Sequence, residues 1–279
     1  MLVPASPLTD AYARLTKAYP GLTVTESSPR DPAHRGAGWT TAAGLAQGGS
    51  AMDAFLAWDE AQVLRDYGHQ ARPDVIASFG LHRYTWPACL LITVPWFTLR
   101  RVPRFPVTHV SYDRSTPGAM RLAVRTTTFA CLPDDPAAAL PGARVVPDEE
   151  ALRAEVRAAA AEHLEPVLAG FGPRMRRRGR ALWGMATDEV VEGLWYVAHL
   201  LGEEARAQRE LELLLPGATK PYVGSAAFRE LTGPDGESLP TRDRASCCMF
   251  YTVRPEDTCA TCPRTCDAER VSRLLTAAS

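Results

Sequence analysis

The chain has 279 residues, of which 46% are hydrophobic, and its formal net charge is −1. This length and apolar content allow a full hydrophobic core in one large domain or two modest ones. Because the charge is close to zero, we expect no general affinity for nucleic acid or for a membrane surface. The longest stretch without Asp, Glu, Lys or Arg runs from Tyr84 to Leu99. It is too short for a membrane span and contains two prolines, so we interpret it as a buried core segment.

Helical periodicity and helix-end signals predict helices on both sides of a central region that has a different pattern. Ser and Asp residues mark several of the expected helix starts, and Gly or Pro marks several of the expected ends. The predicted helical segments are Leu8–Tyr19, a helix capped by Ser50 and ended by Gly68, a segment beginning near Pro73, a helix capped by Asp148 and ended or kinked at Pro166, Arg180–Leu201, Glu203–Leu215 and a short helix around Ala268–Leu275.

The central region is rich in β-branched and aromatic residues, and Pro and Gly interrupt it at short intervals. This pattern is typical of short strands joined by turns, and we expect two to four strands that pair antiparallel. The segments that predict these strands are Val94–Val102, Thr108–Tyr112 and Arg121–Leu132.

Four of the seven cysteines lie within sixteen positions near the end of the chain. Cys247 and Cys248 are adjacent, ten residues follow, and Cys259 and Cys262 are then separated by two residues. Buried thiols usually behave as small hydrophobic groups scattered through a core, whereas closely spaced thiolates bind a soft metal or a metal cluster. The other three cysteines are Cys89 and Cys131, which lie in apolar segments typical of a core, and Cys266, for which we expect no ligand role.

A disulfide pair, a zinc ion and a [2Fe–2S] cluster are the possible occupants of this motif. Residues 1–20 have neither a basic n-region nor an apolar h-region, so we expect a cytoplasmic protein with reduced thiols. Cys259 and Cys262 fit one knuckle of a zinc site, but neighbouring side chains such as Cys247 and Cys248 point to opposite faces of extended backbone. The spacing therefore favours [2Fe–2S] over zinc, which stays open as the alternative.

The motif Arg244-Ala-Ser-Cys247-Cys248-Met-Phe-Tyr251, followed by Cys259-Ala-Thr-Cys262-Pro263, resembles the C-terminal signature of the FhuF-like ferric siderophore reductases. Leu182-Trp183-Gly184 and the helical stretch after it also resemble this family, with less specificity. The resemblance implies that four residues bind a [2Fe–2S] cluster, namely Cys247, Cys248, Cys259 and Cys262.

The resemblance also implies a predominantly helical α+β fold with a small antiparallel sheet and a short C-terminal iron–sulfur lobe. Residues 1–239 would form the siderophore-binding body, and residues 240–279 would form the cluster-binding segment. The implied activity is that of a cytosolic oxidoreductase that reduces Fe(III) in siderophore complexes to Fe(II), and we expect a hydroxamate siderophore. Since no dinucleotide signature is visible, a ferredoxin or a separate NAD(P)H-dependent reductase is the expected electron donor.

Two other functions stay open: an iron–sulfur redox or iron sensor, and a siderophore-biosynthesis protein with a structural four-cysteine metal site. Three further residues are candidate substrate contacts, namely Arg242 and Arg244 beside the motif and Trp183 on the longest predicted helix after the central region. The segment Arg174–Arg180 holds five arginines in seven residues. It is either a docking surface or a solvated loop in a chain whose basic residues are almost all arginine.

Overall fold

The computed structural model describes residues 6–27, 38–217, 219–256 and 258–278, and it shows an α+β fold that is predominantly helical. The helices are α1 (Thr9–Ala18), α2 (Ala42–Gln47), α3 (Gly49–Tyr67), α4 (Pro73–Leu99), α5 (Glu149–Met175), α6 (Gly179–Leu200), α7 (Glu204–Leu214) and α8 (Asp267–Ala278). The strands are β1 (Leu22–Glu26), β2 (Trp39–Thr41), β3 (Val102–Pro103), β4 (Val110–Asp113), β5 (Met120–Val124), β6 (Phe129–Cys131), β7 (Ala143–Val145), β8 (Phe228–Thr232) and β9 (Ser238–Arg242). The predicted fold class is confirmed.

The strands form three small sheets, with the orders β1-β5-β4-β2, β3-β6-β7 and β8-β9. Neighbouring strands pair antiparallel in most places, including β4 with β5 and β8 with β9. However, β1 pairs with β5 and β6 pairs with β7 in parallel, so two of the sheets are mixed. A parallel pair needs a long crossover connection, and the chain between β1 and β5 supplies one that contains α2, α3 and α4.

Helix α4 lies at the centre of the core and packs against α3, α5 and α6. Almost every residue from Val75 to Phe97 is buried, so the helix has no polar face and no helical periodicity. For this reason the predicted strand over Val94–Val102 is wrong: the helix continues through Pro87 and Pro95 to Leu99. Although α4 has 27 residues, none of the described helices combines the length and hydrophobicity of a membrane span.

The helix boundaries agree with the predicted ones except at the expected cap Ser50 and the expected end at Pro166. The Asp148 cap is confirmed, because its carboxylate accepts a hydrogen bond from the Ala151 N–H at 2.8 Å. The Ser50 cap is wrong, since α3 begins one residue earlier and has no side-chain cap. Helix α5 does not end at Pro166 but continues to Met175.

The domain boundary between residues 239 and 240 stays a prediction. Strand β9 runs across it, and this strand pairs with β8 in a hairpin that precedes the cysteine motif.

Helices α2 and α5 approach closely at Gly170, where an added Cβ would lie 2.1 Å from the carbonyl oxygen of Leu45. Because that atom belongs to the backbone, it cannot rotate away as a side chain could. We expect Gly170→Ala to lower the free energy of unfolding by about 1–3 kcal/mol, measured by urea denaturation. Gly179→Ala is the control, because its Cβ would meet nothing within 4 Å and alanine favours a helix. Equal stabilities of the two variants would contradict this packing.

Candidate metal centre

The segment that leads into the cysteine pair is held by a fully buried carboxylate on α6. Asp188 accepts hydrogen bonds from the backbone N–H groups of Ala245 and Ser246, both at 2.9 Å, and from the Ser246 hydroxyl at 2.7 Å. A buried charge is tolerated only when such donors surround it. Helix α6 therefore fixes the backbone immediately before Cys247.

Arg242 is also completely buried, and its positive charge offsets the negative charge of carboxylates on α6. Its guanidinium donates to Asp188 at 2.9 Å, to Glu192 at 3.1 Å and to the carbonyl of Ala226 at 3.1 Å. These contacts give Arg242 a role in folding. Its burial gives no support to the expected substrate contact, which stays a prediction.

Arg244 places a fixed positive charge next to the cysteines. Its Nη1 lies 3.8 Å from the Cys259 Sγ, and its side chain is 3% exposed. Burial opposes the charge, but the surrounding carboxylates outweigh it and hold the pKa of Arg244 above its usual range. The carboxylates within 4 Å of its guanidinium are Asp188, Glu189 and Glu192. Among the described residues, the Nε and Nη2 groups of Arg244 have no hydrogen-bond acceptor.

The structure brings the four predicted ligand cysteines into electrostatic contact with one another. The Cys247 thiol interacts with the thiols of Cys248 and Cys262, and the Cys259 thiol interacts with the same two thiols. Two backbone features shape this arrangement. The residue after the adjacent pair, Met249, has φ of 69° and donates its N–H to the Cys247 Sγ at 3.4 Å. The Cys262 N–H donates to the carbonyl of Cys259 at 3.0 Å, which closes the turn of the second pair.

The thiols differ in how readily they lose a proton. The interaction with the Cys259 thiol lowers the pKa of Cys248, and the positive charge of Arg244 adds to this effect. The same interaction raises the pKa of Cys259, and burial raises that of Cys247. The thiolate is the metal-binding form, so each thiol that binds must lose its proton. Within the described ranges, no group of three or more His, Cys, Asp and Glu side chains is arranged to hold a single metal ion.

Comparison with known families identifies this segment. Residues 244–264 match the family model of the FhuF 2Fe-2S C-terminal domain. This part of the chain is similar to the FhuF 2Fe-2S domain and is here called the FhuF-type domain. The match confirms the resemblance and the predicted cofactor, which is a [2Fe–2S] cluster rather than a zinc ion. No curated protein matches the chain.

The residues of the FhuF-type domain fit such a cluster. A [2Fe–2S] centre would take four thiolate ligands, and because it is anionic it would be stabilised by nearby hydrogen-bond donors. The four cysteines would supply the sulfur, and Arg244 places its Nη1 donor 3.8 Å from the Cys259 Sγ. Helix α4 also contacts the motif, because the Ser78 hydroxyl donates to the carbonyl of Cys248 at 2.9 Å.

A cavity of about 180 Å³ adjoins Cys248 and Cys259 of the FhuF-type domain. Its remaining lining residues are aromatic or cationic, namely Tyr67, Phe79, His82, Arg83, Arg244 and Phe250. The His82 imidazole contacts the buried carboxylate of Glu189. Burial opposes protonation of His82, but this carboxylate outweighs it and raises the pKa of the imidazole. The cavity therefore gives a small molecule access to the sulfur atoms and offers it hydrogen-bond donors.

The third candidate substrate contact, Trp183, lies elsewhere. Its half-buried ring packs edge to face against Tyr222, with the ring centroids 5.6 Å apart, and it does not line the cavity beside the cysteines. The substrate contact of Trp183 stays a prediction. The neighbouring Gly184 packs against the FhuF-type domain, since a Cβ there would lie 3.4 Å from the carbonyl oxygen of Ala245.

Sequence reasoning missed the acidic residues of α6, although a signal was present. Asp188, Glu189 and Glu192 lie within a helix that is otherwise strongly apolar on its buried side. Buried carboxylates require cationic partners, and the two arginines Arg242 and Arg244 precede the motif in the sequence. His82 and Arg83 carried no comparable signal, because only the fold brings α4 to the cysteines.

Proposed function

We propose that the protein reduces Fe(III) in a siderophore complex to Fe(II) and thereby releases the iron. The observation that carries this proposal is the FhuF-type domain, in which Cys248 and Cys259 line an accessible cavity. We infer that Cys247, Cys248, Cys259 and Cys262 bind the [2Fe–2S] cluster. When bound, the cluster supplies single electrons, which is the number that Fe(III) needs.

The side chains of the cavity suit an iron chelate that presents oxygen atoms. Arg83 is 28% exposed and is held by Asp59, to which its Nη1 donates at 2.6 Å. This leaves other guanidinium N–H groups for chelate oxygens, and His82 offers an imidazole at the same cavity. The Phe250 ring packs against Tyr67 and Phe79, with centroids 5.8 and 6.1 Å apart. These rings limit water near the sulfur atoms, a factor that tunes the potential of an iron–sulfur centre.

Reduction alone is enough to release the iron. Hydroxamate oxygens are hard ligands that hold Fe(III) far better than Fe(II), and each tenfold preference lowers the potential of the chelate by about 59 mV. A preference of about ten decades therefore lowers it by roughly 600 mV, so the reductant must be strong. Iron–sulfur centres reach about −700 mV, which is sufficient. The protein need not break a covalent bond, and we assign no acid–base residue.

We infer a cytoplasmic location, because a reducing compartment keeps the four thiols available as ligands. We also infer that electrons come one at a time from a ferredoxin or from a separate NAD(P)H-dependent reductase.

The test is to reduce the holoprotein under anaerobic conditions and to mix it with a ferric trihydroxamate. We expect the oxidised visible spectrum to return, with one Fe(II) trapped by a chelator for each cluster oxidised. The Ga(III) complex of the same ligand is the redox-inert control and should leave the spectrum unchanged. If the ferric complex also leaves the cluster reduced and yields no Fe(II), the function is wrong. Cluster reoxidation by other oxidants without release of iron would favour the alternative function, an iron–sulfur redox or iron sensor.

The same assay tests where the chelate binds. Arg83→Gln should raise the KM for the ferric complex about tenfold, because loss of a charged hydrogen bond costs roughly 1.5 kcal/mol. Arg65→Gln is the matched control, since Arg65 is exposed on α3 and hydrogen-bonds only to Gln62 among the described residues. Equal KM values for the two variants would place the chelate elsewhere.

A further inference from the structure

Most arginines of the described chain form ion pairs, and those without a carboxylate partner are isolated from one another except in one short segment. Arg174 pairs with Asp53 at 2.5 Å, but the next four arginines have no carboxylate partner among the residues that the structure describes. These four are Arg176, Arg177, Arg178 and Arg180, all between α5 and the first turn of α6. A general preference for arginine explains single unpaired arginines of the described chain such as Arg65 and Arg209, but it does not explain four of them within five positions.

This segment lies against the adjacent cysteine pair. The Arg177 Nη1 donates to the carbonyl of Cys247 at 3.0 Å and lies 3.6 Å from the Met185 Sδ. The side chains of Arg176, Arg178 and Arg180 are exposed. Arg177 therefore holds the segment of exposed cations beside Cys247, whereas the cavity described above is lined by Cys248 and Cys259.

Local structure gives no reason for the charges of Arg178 and Arg180. A cation at the start of a helix opposes the helix dipole, and Arg178 occupies the N-cap of α6 without capping it through its side chain. Arg176 lies instead at the C-terminal end of α5, where the dipole favours a cation, but its φ of 52° is left-handed, a conformation that residues other than Gly and Asn rarely adopt. Arg178 and Arg180 thus keep their charges at a cost to local stability, which points to a role at the surface.

We propose that Arg176, Arg178 and Arg180, here called the arginine surface, form the docking site for an acidic protein that carries single electrons. This rests on the proposed function, because it names the donor for the same cluster. On docking, the carrier is oxidised by one electron and the cluster is reduced by one electron, with no bond formed or broken. Charges on exposed surfaces act mainly by raising association rates between proteins of opposite charge.

The two sides of the motif then have different tasks. The donor approaches beside Cys247 at the arginine surface, and the iron chelate contacts the mouth of the cavity at Cys248 and Cys259. Because the two partners use different surfaces, a bound chelate does not block the donor.

The test compares two holoproteins that have lost the same number of charges. Arg178→Gln/Arg180→Gln alters the arginine surface, and Arg65→Gln/Arg209→Gln removes two exposed arginines that also lack a carboxylate partner in the described part of the chain. Stopped-flow absorbance follows cluster reduction by a reduced acidic [2Fe–2S] ferredoxin at low and high salt. At low salt we expect the first variant to react at least about tenfold more slowly than wild type and the second within about twofold. The difference should disappear at high salt.

Reduced methyl viologen, a small cationic reductant, should reduce all three proteins at similar rates, which shows that the cluster is intact. Three results would overturn the proposal. The two variants could be reduced by ferredoxin at equal rates, or the rate for wild type could be independent of salt. The third is that Arg178→Gln/Arg180→Gln is slowed as much with methyl viologen as with ferredoxin. Slower reoxidation by the ferric chelate with unchanged ferredoxin kinetics would also overturn it and would assign the surface to the chelate. The assay measures cluster reduction before any chelate is added, so a failure of the proposed function would not affect it.

Discussion

Cys248→Ser is expected to abolish the [2Fe–2S] cluster, with iron and acid-labile sulfide falling at least about tenfold. A serine hydroxyl is a hard donor that stays protonated at neutral pH, and a cluster needs a thiolate. Metal analysis, the visible spectrum and the paramagnetic-resonance spectrum of the reduced protein measure the loss. The corresponding serine variants of Cys247, Cys259 and Cys262 should give the same result.

Cys266→Ser is the matched control, because Cys266 is exposed and lies in the same segment, four residues after Cys262. We expect it to keep the full content of iron and sulfide. If Cys266→Ser loses the cluster while Cys248→Ser keeps it, the ligand assignment is wrong. A partial loss in Cys248→Ser, with full cluster content in Cys266→Ser, would mean that Cys266 replaces the missing ligand.

The cysteine motif could be predicted because its information is local. All four cysteines fall within sixteen positions, and their spacing alone limits which metal centre they can bind. The helices α1, α6 and α7 were also predictable, since each has an apolar face that repeats with the helical period. In α4 this signal is lost. The helix is buried on all sides, and the β-branched residues near Val94 therefore indicated a strand.

What surrounds the motif could not be predicted, because it depends on contacts between distant segments. Asp188 meets Arg242 and Ser246 more than fifty positions further along the chain. His82 and Ser78 come from α4, about 170 positions before the cysteines. Such pairings follow from how α4 and α6 pack, which is a property of the whole core. The same contacts tie the cysteine segment to α6: without α6, the buried charges of Arg242 and Arg244 would lose the carboxylates that pair with them.

Asp188→Asn should therefore destabilise the protein by about 3–5 kcal/mol, although it changes almost no volume. Each carboxylate oxygen of Asp188 accepts two hydrogen bonds, from Arg242 and Ala245 on one side and from two groups of Ser246 on the other. An asparagine keeps one oxygen and turns an NH₂ group toward donors, so at least two buried donors lose their acceptor. It also leaves the buried Arg242 with a weaker counter-charge. Urea unfolding followed by circular dichroism measures the loss.

The loss of stability should be accompanied by a loss of cluster, because Ala245 and Ser246 position the backbone that enters Cys247. Asp53→Asn is the matched control: Asp53 pairs with Arg174 on the surface, where both side chains are about half exposed. A surface ion pair contributes less than about 1 kcal/mol, so this variant should keep both its stability and its iron. If Asp188→Asn unfolds at the same urea concentration as Asp53→Asn and retains its iron, α6 does not hold the FhuF-type domain through this carboxylate. The cysteine segment would then have to be ordered by the cluster itself.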